Sequence, residues 1–177
     1  FDMTNKLTFM PLFGPAVTEA EAEMIITKIS QPHLADIFHA DVGFVGPPPF
    51  GKQFISNLDP TGTGDETYED YYYANQNRSR VLYTGTNDGI LHMFYGDGIN
   101  AGREIWGFIP DEVLPSLTKI VLDNEHTYTV DGRLAANDIY YVKPNASGNS
   151  WTTLLVFGLR RGGNAFYGMD ITKVEDK

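Results

Sequence analysis

The chain has 177 residues, of which 42% are hydrophobic, 13% aromatic and 20% charged, and this composition excludes a wholly disordered protein. Its 13 Lys and Arg against 23 Asp and Glu give a net charge of −10, which disfavours nucleic acid and anionic lipid as main partners. The absence of Cys excludes disulfides, thiolate nucleophiles and Cys-ligated zinc. The 18 Gly and 10 Pro favour many short strands and tight turns over a helical bundle.

The first predicted element is a helix at about 18–29. Thr18 and Glu21 have the spacing of a capping box, in which each side chain accepts a hydrogen bond from the other residue's backbone N–H. The apolar residues that follow recur at helical spacing and form one stripe: Ala22, Ile25, Ile26 and Ile29. Residues 1–34 are therefore predicted to be a helical lead-in.

The next part of the chain alternates strand and turn signals. A strand is predicted at about 36–46, before Pro47, and a long polar stretch at 51–79 is either a functional excursion or a partly helical insertion. The turn Asn87–Gly89 predicts a hairpin, because Asn, Asp and Gly tolerate the backbone geometry of tight turns. The strands around and after it are predicted at about 80–86, 89–95 and 103–108. A helical segment broken at Pro115 follows, and then strands at about 126–132, 137–143, 152–158 and 164–170.

The order of these elements repeats. Residues 41–47 and 138–144 share Asp, a β-branched residue, Val and Pro at the same spacing, and in the hairpins that follow, Gly85 corresponds to Gly158. Repeated four-stranded antiparallel units are typical of β-propeller blades, although chance similarity within a β-sandwich is the alternative. The repeat predicts a mainly β fold, an incomplete propeller of about two blades with two short helices that forms part of a larger propeller.

The repeat also predicts the domain organisation. Residues 35–110 would form the first blade, with the acidic, Tyr-rich insertion at 51–79, and residues 111–177 a helical connection and a partial second blade. A propeller needs at least four blades to close its ring. We therefore expect another chain, or the rest of a longer polypeptide, to cover strand 164–170 and the outer face of each blade.

Four tyrosines in the insertion are the candidate partner-binding residues: Tyr68, Tyr71, Tyr72 and Tyr73. Tyr is enriched at protein interfaces because it offers a large amphipathic contact area at low entropic cost. A partly buried helix or loop that covers the propeller is an equal alternative. On the first interpretation, residues 51–79 project from the propeller and are either mobile or docked on a partner.

The other candidate binding residues are better explained as ordinary structural features. Asp59, Asp65 and Asp70 are candidate metal ligands at places 1, 7 and 12 of a loop with Gly64 at the sixth place, but its Thr residues supply no charge and a plain acidic loop is favoured. Residues 160–163, Arg-Arg-Gly-Gly, form either an anion-binding nest or, more commonly, a hairpin turn. None of the four His residues has metal-ligand spacing, and His39 and His92, within predicted strands, are predicted to be packed and hydrogen-bonded. We predict no catalytic constellation, metal site or cofactor in this segment.

Four segments together resemble one known family, and they stand in this order along the chain. ADIFHADVGFVGPP (35–48) resembles the strand at the entrance to the propeller of the PilY1/PilC-type C-terminal domain of type IV pilus biogenesis proteins. RVLYTGTNDGILHMFYGDG (80–98) and GREIWGFIPDEVLPSL (102–117) resemble the strand–NDG–strand–W-x-F-I-P signature of that domain. LVFGLRRGGNAFYGMDIT (155–172) is similar to its Gly-rich hairpin. Tyr95 and the insertion at 51–79 depart from the family pattern.

The resemblance implies an exported, non-enzymatic propeller at the pilus tip or outer surface of a bacterium, with roles in adhesion and pilus assembly. Its partners would be minor pilins or other pilus components, and a host or solid surface. The calcium loop of some family members lies beyond the matched stretch, so calcium is expected only elsewhere in the family's chain. Two alternatives stay open: a fragment of a quinoprotein-like propeller enzyme, against which the lack of Cys counts, and a structural protein of an extracellular filament.

Overall fold

The computed structural model describes residues 3–49, 51, 66–142 and 149–174. The helices in these ranges are α1 Lys6–Phe13, α2 Glu19–Ile29, α3 Tyr68–Asn75 and α4 Ser116–Val121. The strands are β1 Val42–Val45, β2 Val81–Gly85, β3 Leu91–Tyr95, β4 Glu104–Phe108, β5 Leu134–Val142, β6 Asn149–Gly158 and β7 Phe166–Asp170. Short 3-10 turns precede α1 and α4 and follow β6.

The N-terminal residues form a small helical layer. The predicted capping box of α2 is confirmed: the Glu21 N–H donates to Thr18 Oγ1 at 3.3 Å, and the Thr18 N–H donates to Glu21 Oε2 at 2.8 Å. The apolar stripe of α2 is buried against Phe13 of α1 and Leu117 of α4. The described residues thus contain four helices where the sequence predicted two, and the division of the chain at residues 34 and 110 stays a prediction.

The first sheet is antiparallel and follows chain order, β1-β2-β3-β4. Gly85 pairs with Leu91 across the predicted hairpin, and Gly89 supplies the left-handed backbone of the turn with φ +96°. Because β3 also pairs with β4, the predicted strands at 80–86, 89–95 and 103–108 are neighbours in one sheet, as expected.

Strand β1 is shorter than the predicted strand at 36–46. The carbonyl of Asp36 accepts the Asn87 N–H at 3.1 Å, and the His39 N–H donates to Asp131 Oδ1 at 3.1 Å. These bonds direct the backbone before β1 to loops rather than to a neighbouring strand. His39 therefore lies outside the sheet, but its imidazole is hydrogen-bonded as predicted, with Nδ1 2.8 Å from Asp131 Oδ2.

The second sheet has the order β5-β6-β7, also antiparallel. The strand predicted at 126–132 is wrong, because its backbone and side chains bond to the turn of the first sheet. The Thr129 N–H donates to Asn87 Oδ1 at 3.3 Å, and the Thr129 hydroxyl donates to the Thr86 carbonyl at 3.0 Å. This segment therefore links the two sheets at the end where the Asn87–Gly89 turn lies.

One apolar core joins the two sheets. Phe157 of β6 meets Phe108 of β4 edge to face, with ring centroids 6.3 Å apart, and stacks on Tyr167 of β7 at 5.4 Å. Trp106 of β4 packs against the same core beside Tyr83, at 5.9 Å. The buried residues that the sheets contribute are Val45, Val81, Tyr83, Leu91, Met93, Leu155 and Phe157.

The internal repeat is present in strand order, but the two motifs that suggested it do not occupy equivalent registers. Gly85 and Gly158 each end the second strand of their sheet. However, Val42 pairs with Thr84, beside Gly85, whereas its counterpart Ile139 pairs with Thr152, well before Gly158. The hairpin half of the repeat is therefore structural, and the Asp-to-Pro motif is a similarity of sequence only.

Candidate partner-binding site

Helix α3 carries the four candidate tyrosines and begins with a second capping box. The Asp70 N–H donates to Thr67 Oγ1 at 3.1 Å, and the Thr67 N–H donates to Asp70 Oδ2 at 3.2 Å. The bonds from the Thr67 hydroxyl and N–H hold the pKa of Asp70 below its usual value. Asp70 thus caps a helix, while the other candidate metal ligands, Asp59 and Asp65, lie outside the described residues. Among the residues described, no group of His, Asp or Glu side chains could hold a metal ion.

Two of the four tyrosines face the interior of the chain. Tyr68 and Tyr71 are 0% and 1% exposed, and the Tyr68 ring meets Trp151 of β6 edge to face with centroids 4.7 Å apart. The assignment of Tyr68 and Tyr71 to partner binding is therefore corrected, because the second sheet already covers both rings. The same packing corrects the expectation that 51–79 projects from the propeller, for the part from residue 66 onward.

The hydroxyl groups of these two tyrosines converge on Asp138 of β5. Tyr68 donates to Asp138 Oδ2 at 2.5 Å, and the hydroxyl of Tyr71 lies 2.5 Å from that of Thr153, which itself donates to Asp138 Oδ1 at 2.7 Å. Burial, together with the Asp138 carboxylate, raises the pKa of Tyr68, and burial raises that of Tyr71. Both groups therefore remain neutral phenols that satisfy a partly buried carboxylate.

Arg78 completes this polar network and ties the two sheets together. Its Nη1 donates to Thr153 Oγ1 at 2.7 Å and to the Thr172 carbonyl at 3.4 Å, while its Nε donates to the Gly46 carbonyl at 3.0 Å. Gly46 directly follows β1, so one guanidinium spans from the first sheet to the second. The sequence analysis did not identify this role for Arg78, Asp138 or Thr153. The only signal was Asp138 as the first residue of a repeated motif.

The remaining two tyrosines are less deeply buried. Tyr73 is 55% exposed, and its ring meets the half-buried ring of Tyr72 edge to face at 5.3 Å. Tyr72 lines an open groove of about 570 Å³ between α3 and β1, next to the exposed ring of Phe44. We call this the Tyr72 groove, and its lining includes Phe44, Pro47, Pro48, Tyr72, Gln76 and Arg80. Aromatic side chains such as Phe44 and Tyr72, and arginines such as Arg80, are enriched at protein interfaces.

Comparison with known proteins identifies the family. A family model described as the PilY1 beta-propeller domain matches residues 34–177. The chain belongs to the PilY1 family. It is 35% identical over 140 residues to the type IV pilus biogenesis factor PilY1 homolog of Xylella fastidiosa (strain Temecula1), a match that covers 78% of this chain and 10% of that protein. It is 30% identical over 147 residues to PilY1 of Pseudomonas aeruginosa (strain UCBPP-PA14), covering 81% and 12%.

A solved structure of the PilY1 family confirms the architecture. The crystal structure of the Pseudomonas aeruginosa PilY1 C-terminal domain matches with a TM-score of 0.54 at 26% sequence identity, covering 75% of this chain and 23% of that one. The two sheets are therefore two blades of an incomplete β-propeller, as the repeat predicted. The chain spans about a tenth of the length of the PilY1 relatives. Within the described ranges, no helix has the length and apolar character needed to cross a bilayer.

Proposed function

We propose that this chain is a non-enzymatic adhesion and pilus-assembly module, exported and located at the pilus tip or the outer surface of a bacterium. The observation that carries the proposal is the PilY1 propeller, because the relatives named above are type IV pilus biogenesis factors. In this role the chain supplies binding surfaces to pilus components such as minor pilins, and to a host or solid surface.

The Tyr72 groove is the surface we assign to a pilus component. It places Tyr72 and Phe44 beside three consecutive prolines, at the junction where α3 and β1 meet β5. The Arg78 network holds this junction together, because Arg78 bonds to Gly46 after β1 and to Thr153 on β6. A rigid support lowers the entropy lost when a partner binds, which favours affinity from few side chains.

The rest of the propeller is the second proposed partner. In the described residues the second blade has three strands where the first has four, so β7 is an edge strand. Phe166 on β7 is 83% exposed, and Val156 on β6 is exposed on the same face. We infer that remaining polypeptide, or another chain, pairs with β7 and covers this face, because proteins seldom leave apolar edges open.

The assembly role is tested by truncating the exposed tyrosines. We expect Tyr72→Ala combined with Tyr73→Ala to weaken binding to purified pilus components about tenfold or more, as truncation of interface aromatics does. The matched control is Ile99→Ala, which removes a fully exposed apolar side chain from the β3–β4 turn. Binding is measured by surface plasmon resonance, and pilus number by electron microscopy of cells carrying each variant.

Ile99→Ala should unfold at the wild-type temperature, because Ile99 is fully exposed. The double variant should unfold at a lower temperature, because the half-buried ring of Tyr72 packs against the cluster of Tyr68, Tyr71 and Trp151. Circular dichroism therefore checks that the double variant is folded before its binding is compared. Unchanged binding and normal pilus number in the double variant would show that the Tyr72 groove does not serve assembly.

A further inference from the structure

A second surface lies at the end of the blades where the 126–132 segment bonds to the Asn87–Gly89 turn. It combines rings and cationic side chains from three separate segments, before β1, before β5 and after β6. We call it the ring–arginine surface, and it consists of Phe38, His39, His126, Tyr128, Arg160 and Arg161.

Tyr128 is the centre of this surface. Its ring centroid lies 5.8 Å from that of Phe38, 6.0 Å from that of His39 and 5.5 Å from that of His126. The guanidinium carbon of Arg161 lies over the same ring, 5.2 Å from its centroid, which is cation–π geometry. Five side chains from three separate segments are thus held in one arrangement.

A buried carboxylate orients the polar members. Asp131 is 1% exposed and accepts the His39 N–H at 3.1 Å and the His39 Nδ1–H at 2.8 Å, and Arg160 Nη1 lies 3.6 Å from the same carboxylate. The bond at Nδ1 fixes the ring and leaves Nε2 as the nitrogen that Asp131 does not use. Such a carboxylate positions the His39 ring and the Arg160 guanidinium before any ligand arrives, so less ordering is needed on binding.

The surface is open, and its two guanidinium groups differ in their partners: Arg160 lies near Asp131, whereas Arg161 lies over a ring. Phe38 is 61% exposed, and His126, Arg160 and Arg161 are also exposed. Asp36 faces His126 at 3.2 Å, while Arg161 stacks on Tyr128 and has no carboxylate partner in the described part of the chain. A long polyanion would be repelled by the net charge of −10, whereas a short anionic ligand can use Arg161 locally.

We propose that the ring–arginine surface binds an anionic saccharide, a short chain of sugars that bear carboxylate groups. An acidic sugar presents an apolar ring face and a carboxylate within one unit, which matches exposed rings placed beside a guanidinium. The guanidinium binds carboxylate through two parallel, charge-assisted hydrogen bonds. This inference rests on the proposed adhesion role and names the class of ligand that the role would use.

The test measures binding of tetragalacturonic acid to the purified protein by isothermal titration calorimetry. Its methyl ester is the matched ligand, because esterification keeps the sugar rings and removes the charge. We expect the acid to bind at least about fivefold tighter than the ester. Arg161→Ala or Phe38→Ala should lower the affinity for the acid by about the same factor. The control Arg103→Ala removes the same charge from the β3–β4 turn, away from this surface, and should leave affinity unchanged.

Three outcomes would overturn the proposal: no binding of the acid, equal binding of acid and ester, or equal weakening by Arg103→Ala and Arg161→Ala. Equal affinity for a short poly-aspartate peptide would also overturn it, because it would show attraction to charge alone. If the acid fails to bind while Tyr72→Ala with Tyr73→Ala still lowers pilus number, the saccharide inference fails and the assembly role stands. Arg161 is exposed, so its variant is expected to fold even if Phe38→Ala does not.

Discussion

Single side chains connect the insertion to the propeller, and Tyr68 is the residue on which this connection depends most directly. Its ring fills the space against Trp151 while its hydroxyl donates to Asp138. Ring and hydroxyl therefore contribute to stability by separate means, burial of apolar area and a hydrogen bond to a charged group. A substitution that removes only the hydroxyl separates the two contributions.

We expect Tyr68→Phe to lower the free energy of unfolding by about 2 kcal/mol, because Asp138 loses a charge-assisted hydrogen bond while the ring stays in place. Urea unfolding followed by tryptophan fluorescence measures the change, since Trp151 touches the mutated ring. Tyr73→Phe is the control and should have no effect, because Tyr73 is exposed. Equal stability of both variants would contradict the assigned role of Asp138.

A second residue-scale prediction concerns His92 of β3, which is buried between two carboxylates. Its Nδ1 lies 2.6 Å from Glu104 Oε1, and its Nε2 lies 3.9 Å from Asp88 Oδ1. The other oxygen of Asp88, Oδ2, lies 2.8 Å from His33 Nε2. Burial opposes the charged imidazolium, but the interactions with Asp88 and Glu104 outweigh it and raise the pKa of His92.

Because the folded pKa of His92 is raised, its contribution to stability is fully present below the unfolded value of about 6.5 and is lost as pH rises through the folded pKa. We expect the free energy of unfolding to fall between pH 6 and pH 8.5. His92→Gln should remove this share of the pH dependence, and Glu104→Gln should reduce it. Chemical denaturation at both pH values measures the effect, and an identical pH profile in wild type and His92→Gln would refute it.

At the scale of elements, the two hairpins occupy equivalent places but differ in how tightly they are packed. A Cβ on Gly85, at the end of β2, would lie 2.3 Å from the carbonyl oxygen of Val130. A Cβ on Gly158, at the end of β6, would lie 2.8 Å from the ring of Phe166, an exposed side chain that can rotate away. The Val130 backbone cannot move aside as a rotating side chain can. A Cβ should therefore be tolerated less well at Gly85 than at Gly158.

We therefore expect Gly85→Ala to destabilise the protein by about 1–3 kcal/mol, and Gly158→Ala by less than about 1 kcal/mol. Thermal unfolding followed by circular dichroism gives the comparison, with each variant serving as the control for the other. If Gly158→Ala were the more damaging substitution, the close approach of the 126–132 segment to the first hairpin would not be what constrains Gly85.

At the scale of the whole molecule, the core between the blades is closed but the far faces of the blades are open. On the first blade, Val42 and Phe44 of β1 are exposed, and on the second, Val156 and Phe166 are exposed. Purified alone, residues 1–177 are expected to self-associate or aggregate, because such faces favour burial against another surface. Sedimentation velocity tests this expectation, and a stable monomer with cooperative unfolding would contradict it.

The sequence predicted those elements whose signals are local. Thr18 and Glu21 cap α2 because both partners lie within one turn, and the Asn87–Gly89 turn needs only its own residues to reverse the chain. Helix α3 shows the limit: Thr67 and Asp70 form the same capping box, but the run of tyrosines after them has no apolar periodicity that distinguishes a buried from an exposed helix.

The sequence by itself determined the capped helix and the Asn87–Gly89 hairpin, because each depends on residues that are neighbours in the chain. It also indicated the PilY1 family, because four motifs stand in the family's order along the chain. Only the tertiary structure decided that Tyr68 and Tyr71 are core residues while Tyr72 and Tyr73 are not, since Asp138 and Trp151 lie some 70 to 80 positions further along. The same holds for Phe38, Tyr128 and Arg161, which become one surface only when the blades pack. Contacts between distant segments depend on which faces bury together, and a linear pattern does not carry that information.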